Sequence, residues 1–329
     1  MDIPVGVMAK KSIITTLVKC IPFIGVLLFL YIIWDVGIEK IGQTFLSIPL
    51  QYYLLSLLVF VPRLMFFVYK WNYINRKQKI YVDYWYLTKI FLVSMFYGSV
   101  TPGGIGWHMR IFYLKKKSGV SFEKCITNSL IDTATGFIIG LSLALLGSIL
   151  FFEHFSGFLP IVLAVLILYV SAFVIFMKKE RGSRIFTFFI RPLIPKKYRE
   201  VVGQSVSSLY EDLPRIRDMA LPMVLEVLVW FTAGIQTYII ALAFSIEIPV
   251  LTFILLSIMA VVFSNALPVT IGGLGVREGA FVIILGFYGV SPEVAFAISF
   301  VGFLAKVLIP GLIGLALSFN MHLKPLKQV

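Results

Sequence analysis

The sequence predicts an all-α polytopic membrane protein: an inverted repeat with two re-entrant helical hairpins set among about six full transmembrane helices. Three observations carry this reading. The chain is 59% hydrophobic and only 14% charged, with a mean hydropathy of +0.96, whereas soluble domains carry roughly 25% charge. A glycine-rich unit occurs twice: Thr101-Pro102-Gly103-Gly104-Ile105-Gly106, followed by Arg110, and Pro268-Val269-Thr270-Ile271-Gly272-Gly273-Leu274-Gly275-Val276-Arg277-Glu278-Gly279. Each copy leads into a second shared unit, Gly119-Val120-Ser121 with Glu123 and Gly289-Val290-Ser291 with Glu293, and a single-residue gap aligns the two. Lastly, the net charge of +13 follows a positive-inside distribution along the chain and is not a nucleic-acid signature.

Lys10 and Lys11 precede an apolar run from about Ile13 to Trp34, long enough for the ~20 residues that a span requires. It is too long for a signal peptide and lacks a small-residue cleavage site. Lys19 stands where a lipobox ahead of Cys20 needs a small residue, so a retained span starting in the cytoplasm is expected. Residues 35–50 read as an interfacial helix. A second span, about Gln51 to Tyr69, carries Arg63 beside Pro62. Lys70, Arg76, Lys77 and Lys79 then read as a cytoplasmic loop, with Trp71, Tyr73, Tyr81, Tyr84, Trp85 and Tyr86 as an aromatic belt.

The first repeat copy occupies about residues 85–152. Its leading arm, Trp85 to Val100, would reach ~24 Å as a helix, short of the ~30 Å hydrocarbon core. The returning piece, Ile111 to Leu114, ends at Lys115, Lys116 and Lys117. A full crossing would put those lysines outside, together with a later loop, 178–218, that holds ten Lys/Arg against five Asp/Glu. A hairpin entering and leaving on the cytoplasmic face avoids both violations. Spans follow at about Ile126 to Phe152, Phe158 to Met177 and, after the basic loop with its amphipathic stretch Val201 to Asp218, Met219 to Phe244. The second copy, about residues 251–319, has a leading arm Leu251 to Leu267, a returning arm Ala280 to Tyr288 and a last span Val294 to Phe319. Three spans separate the hairpins, so they are expected to be inverted, within one membrane domain over 1–329. Both termini are expected in the cytoplasm, at the plasma membrane.

A backbone that reverses inside hydrocarbon strands amides and carbonyls, which is tolerated only where protein or a wet cavity surrounds them. Glycine supplies the φ > 0 geometry, and turn amides with a following helix N-terminus favour anions. The candidate substrate-binding residues are therefore Gly103, Gly104, Gly106 and Arg110 in the first copy, and Gly272, Gly273, Gly275, Arg277 and Glu278 in the second. Tight helix packing by small residues is the plainer alternative, but it does not require an arginine in both copies. Asp132, Glu226, Lys306 and Arg63 fall within spans, where an ionisable group costs ~2.5–3.5 kcal/mol at the centre. They are expected to face a cavity or one another, with an Asp132–Lys306 pair among the options and Glu226 equally at home near an interface. His108 stays open, and Trp107 reads as an interfacial anchor. Cys20 and Cys125 show no ligand spacing, and no metal or other cofactor is expected.

These motifs resemble those of the lysylphosphatidylglycerol synthase transmembrane-region family, also called flippase-like or YbhN-like, over nearly the whole chain. The resemblance rests on Gly272 to Gly279 and on Thr101 to Gly106 with Arg110; Asp132 and Lys306 match acidic and basic positions of that family. Trp107 stands where the family often has Glu, and Thr133 where it often has Arg. The resemblance implies a lipid flippase, with an aminoacylated phospholipid as cargo in the bifunctional relatives. The chain ends at Val329 with no soluble synthase domain, so synthase activity is not expected. The implied partner is a phospholipid or polyprenyl-phosphate-type lipid, with no nucleic acid, and a homo-oligomer is compatible. A membrane glycosyltransferase-like enzyme using a lipid-phosphate sugar donor is the rival, disfavoured by external loops that are short.

Overall fold

Long apolar sequence with lipid-facing stripes gives helices throughout. The computed structural model describes residues 26–178, 209–210, 212–265 and 270–321. Helix α1 (Val26–Val36) meets α2 (Ile38–Leu46) at Gly37, whose φ is 96°. The α3 helix runs Leu50–Lys77, α4 Tyr84–Val100, α5 Arg110–Ser118, α6 Phe122–Leu150, α7 Phe152–Phe155 and α8 Leu159–Phe176. Then come α9 (Ala220–Leu242), α10 (Val250–Asn265) and α11 (Val276–Gly286). The last helix, α12 (Pro292–Ser318), is unbroken but widens to a π-turn at Leu304–Leu308.

Among the described residues, five helices are long and apolar enough to cross a membrane: Leu50–Lys77, Phe122–Leu150, Leu159–Phe176, Ile216–Leu242 and Pro292–Ser318. They match five of the six expected spans. The first expected span lies mostly outside the described residues, where only α1 is seen. Leu54, Leu58, Val61 and Met65 of α3 are all exposed and recur at helical spacing, which is a lipid-facing stripe. The opposite face of α3 buries Ser56, Phe60, Val68 and Trp71.

One boundary is corrected. The second span does not end at Tyr69: α3 continues to Lys77, and Lys70 and Trp71 are fully buried. A basic run that begins at this lysine predicts a loop, but the helix continues through it and its phase turns the side chain inward. Trp71 is likewise no belt residue; its indole N–H donates to Asn128 Oδ1 at 2.7 Å. The amphipathic stretch expected at Val201 to Asp218 lies largely outside the described residues. Within it, Ile216–Met219 is a 3₁₀ turn.

Both short arms fold back. Lys117 Nζ lies 5.2 Å from the Tyr86 ring, so α5 has returned to the start of α4. Its base adjoins the start of α6, where Phe112 and Phe122 are 5.5 Å apart. The base of the second turn adjoins the other end of α6: Tyr288 meets Phe151 at 6.2 Å, and Phe287 stacks on His154 at 5.3 Å. With 29 residues, α6 is about 43 Å long. The Gly-Val-Ser units mark the bases. Gly119 (φ 72°) and Gly289 (φ 75°) take the left-handed conformation that ends helices, and Ser121 caps α6 by accepting from Lys124 N.

Packing is reciprocal. Leading helix α4 lies against Ile309–Ser318 at the end of α12, while α10 lies against α6. Small residues permit these approaches: a Cβ on Gly314 would stand 2.0 Å from Leu92 O, and one on Gly147 would stand 2.5 Å from Met259 Sδ. Helices α3 and α9 are joined across the centre by paired hydrogen bonds, Ser56 Oγ to Gln236 O and Gln236 Nε2 to Ser56 O, both 2.9 Å.

Candidate functional site

The two glycine turns meet. Pro102 and Ile271 form an antiparallel bridge, and Gly103 N donates to Thr270 O at 3.2 Å. In the first turn Thr101 Oγ1 donates to Tyr97 O and accepts from Gly106 N, each at 2.7 Å. A Cβ on Gly106 would lie 2.1 Å from Tyr97 O, so only glycine fits. In the second turn Glu278 reaches back to accept from Gly275 N at 2.7 Å, the carboxylate half of a capping box. Gly272, at φ 59°, passes close to the first turn: its Cβ would stand 2.8 Å from Ser99 O.

Around the joined tips lies a cavity of about 450 Å³, within the usual range for a small-molecule site. Its lining carries five cations, Arg63, Lys70, Arg110, Arg277 and Lys306, against two carboxylates, Asp132 and Glu226. Lys70 is the hub. Its ammonium sits 2.7 Å from Asp132 Oδ1 and 2.5 Å from Glu226 Oε2. Arg110 pairs with Asp132 and donates to Ser129 Oγ (2.9 Å), Ser129 O (3.0 Å) and Thr133 Oγ1 (2.9 Å). Arg277 pairs with the fully buried Glu278, donates to Gly272 O at 2.8 Å and lies 4.0 Å from the centroid of the Phe303 ring.

Two cations stand apart from this network. Among the described residues, neither Arg63 nor Lys306 has a carboxylate within ion-pair distance. Lys306 Nζ donates to Thr237 Oγ1 at 2.6 Å. Arg63 Nη1 reaches Gln236 Oε1 and Lys306 O, both at 3.3 Å. Pro310 explains the second contact. It lacks the N–H that would bond the carbonyl four residues earlier, so Lys306 O is left for Arg63.

The profile of the lysylphosphatidylglycerol synthase TM region matches residues 16–314. The chain belongs to this family. Similar curated family proteins include a UPF0104 membrane protein of Methanothermobacter thermautotrophicus, 26% identical over 294 residues and covering 83% of this chain and 86% of its own length. The UPF0104 membrane protein PH1989 of Pyrococcus horikoshii is 23% identical, covering 88% and 93%. MJ1595 of Methanocaldococcus jannaschii is 20% identical, covering 88% and 91%.

Of the residues singled out from the sequence, Gly103, Gly104, Arg110, Asp132, Gly272, Gly273, Arg277 and Lys306 line the cavity of this family member. Gly106, Gly275 and Glu278 stand behind the lining, where they shape the turns. The amides of Gly103, Gly104 and Gly106 already donate within or between the turns, so in the first copy it is side chains that face an anion. The Asp132–Lys306 pair does not form; Lys70 and Arg110 hold Asp132 instead. Trp107 is not an anchor: with His108 it lines the cavity, and it packs 5.8 Å from the Phe91 ring. Where the family often has Glu and Arg, Trp107 supplies an apolar wall and Thr133 accepts from Arg110. Sequence reasoning missed Lys70, Ser129, Gln236 and Thr237. Lys70 could have been found, since it lies seven residues after Arg63 on one helix face.

Proposed function

We propose that this membrane protein moves a phosphate-bearing lipid between leaflets, with the headgroup passing through the cavity while the acyl tails stay in the bilayer. The observation that carries the reading is the pair Arg63 and Lys306. Each carboxylate in or behind the lining already holds a cation: Asp132 holds Lys70 and Arg110, Glu226 holds Lys70, and Glu278 holds Arg277. Two basic side chains remain without a carboxylate, in a setting where an ionisable side chain costs ~2.5–3.5 kcal/mol on insertion scales and marks a substrate pathway. An anionic headgroup would balance them. The same pairing disfavours enzymatic glycosyl transfer, because no lining carboxylate is left unpaired to act as a base.

The two hairpins supply the route. As an inverted repeat within one membrane domain, they would reach the midplane from opposite faces, the pattern of transporters whose site lies between broken helices. Tips joined at Pro102–Ile271, bases at opposite ends of α6 and reciprocal packing all support this. Rocking of one half against the other would open the cavity to each face in turn, in a plasma membrane with both termini cytoplasmic.

Reconstitution tests it. Proteoliposomes holding tail-labelled anionic phospholipids should exchange label between leaflets faster than protein-free vesicles. Arg63→Gln with Lys306→Gln should slow exchange about tenfold, the effect of ~1.4 kcal/mol. Exchange no faster than in protein-free vesicles, for any anionic lipid, would remove transport as the function.

A further inference from the structure

We infer that the cavity selects lipid phosphomonoesters over phosphodiesters, and that Arg63 and Lys306 form the clamp for the second phosphate charge. The inference rests on the lipid-transport reading for its cargo but says more, because it names the headgroup. A phosphodiester headgroup such as phosphatidylglycerol carries one negative charge, whereas a terminal phosphate carries about −1.5 to −2 near neutral pH. The lining leaves two cations without carboxylates, which matches the terminal phosphate. It also offers no unpaired carboxylate to an aminoacyl ammonium group.

The geometry makes these two cations one unit. Arg63 donates to the backbone oxygen of Lys306. Their other partners, Gln236 and Thr237, are consecutive residues of α9. Lys306 lies in the π-turn Leu304–Leu308, a distortion frequent at functional sites. Pro310 frees the carbonyl that Arg63 holds. Arg63 stands two turns from Lys70, about 10 Å along α3, and makes no ion pair with the Lys70–Arg110–Asp132–Glu226 cluster, whose two cations and two carboxylates balance. The clamp's partners are a hydroxyl, an amide oxygen and a carbonyl, all neutral, so neither basic group is tied to a carboxylate and both can turn to a ligand.

Equilibrium binding to the purified full chain in detergent tests this, with dioctanoyl phosphatidic acid and dioctanoyl phosphatidylglycerol as probes. The protein should bind the phosphatidic acid about tenfold more tightly. Arg63→Gln with Lys306→Gln should bring the two affinities within about twofold of each other, while the charge-retaining Arg63→Lys keeps the preference. Equal or tighter binding of phosphatidylglycerol, or a preference that survives the double substitution, would overturn the assignment. Inorganic phosphate and glycerol 3-phosphate are run as competitors. Failure to displace the lipid at millimolar levels supports a lipid cargo; displacement at the lipid's own concentration would reassign the clamp to a soluble phosphomonoester. Loss of this preference with leaflet exchange intact would sink only the headgroup assignment. Tight, selective binding without exchange would sink transport and leave the clamp standing.

Discussion

Lys70 is held by two buried carboxylates, and its removal leaves both with less compensation in a low-dielectric setting. Breaking a buried ion pair from one side costs about 3–5 kcal/mol. Lys70→Met should therefore lower the thermal midpoint in detergent sharply, and Glu226→Gln in the same chain should recover part of the loss. An unchanged midpoint in Lys70→Met would show that the cluster does not hold the helices. The same scale separates two glycines. Gly106→Ala forces a methyl group against the Tyr97 carbonyl and should cost about 1–3 kcal/mol or more as overpacking. Gly119→Ala meets nothing within 4 Å and should cost only about 1 kcal/mol, for its positive φ. Thermal melts of the two variants check the ranking. Arg110, Asp132 and Arg277 were legible in the sequence because a charge inside an apolar run is conspicuous. Lys70 was not, because it opens a basic run that continues into a loop. The helical phase set by Arg63 distinguishes it from Arg76, but Lys77, a further seven residues on, shares that phase and lies at the helix end.

At the level of elements, Pro310 couples backbone to chemistry. Pro310→Ala restores an N–H that competes with Arg63 for the carbonyl of Lys306. A proline in a helix interior costs about 3 kcal/mol, so the variant should melt at the same or a higher temperature while lipid exchange in vesicles slows. Wild-type exchange in Pro310→Ala would show that the π-turn does not position the clamp. The hairpins were expected because the arms Trp85 to Val100 and Ala280 to Tyr288 are too short to cross and glycine turns stand at their tips; the helices there, α4 and α11, are 17 and 11 residues long. What the sequence could not convey is that the tips bond to each other. The bridge between Pro102 and Ile271 joins positions far apart in the chain, and beside it the Gly103 amide donates to Thr270 O instead of to an anion. The Asp132–Lys306 pair failed for a related reason. Equivalent positions in two repeats need not touch, and Asp132 meets the nearer Lys70 and Arg110 instead.

For the whole molecule, positive-inside charge and the repeat together led to two arms entering from opposite faces and enclosing a positive hollow. The five long helices among the described residues fit the polytopic part of that expectation, and the opposed entry of the arms is the part that a measurement of sidedness tests. The most direct measurement is sided labelling of single cysteines in vesicles of defined orientation, with Cys20 and Cys125 replaced by alanine. Lys116→Cys marks the base of the first hairpin, and Gly286→Cys marks the base of the second. A membrane-impermeant maleimide should reach position 116 from one face only and position 286 from the other face only. Labelling of both positions from a single face would contradict the opposed hairpins, and with them the passage through the cavity.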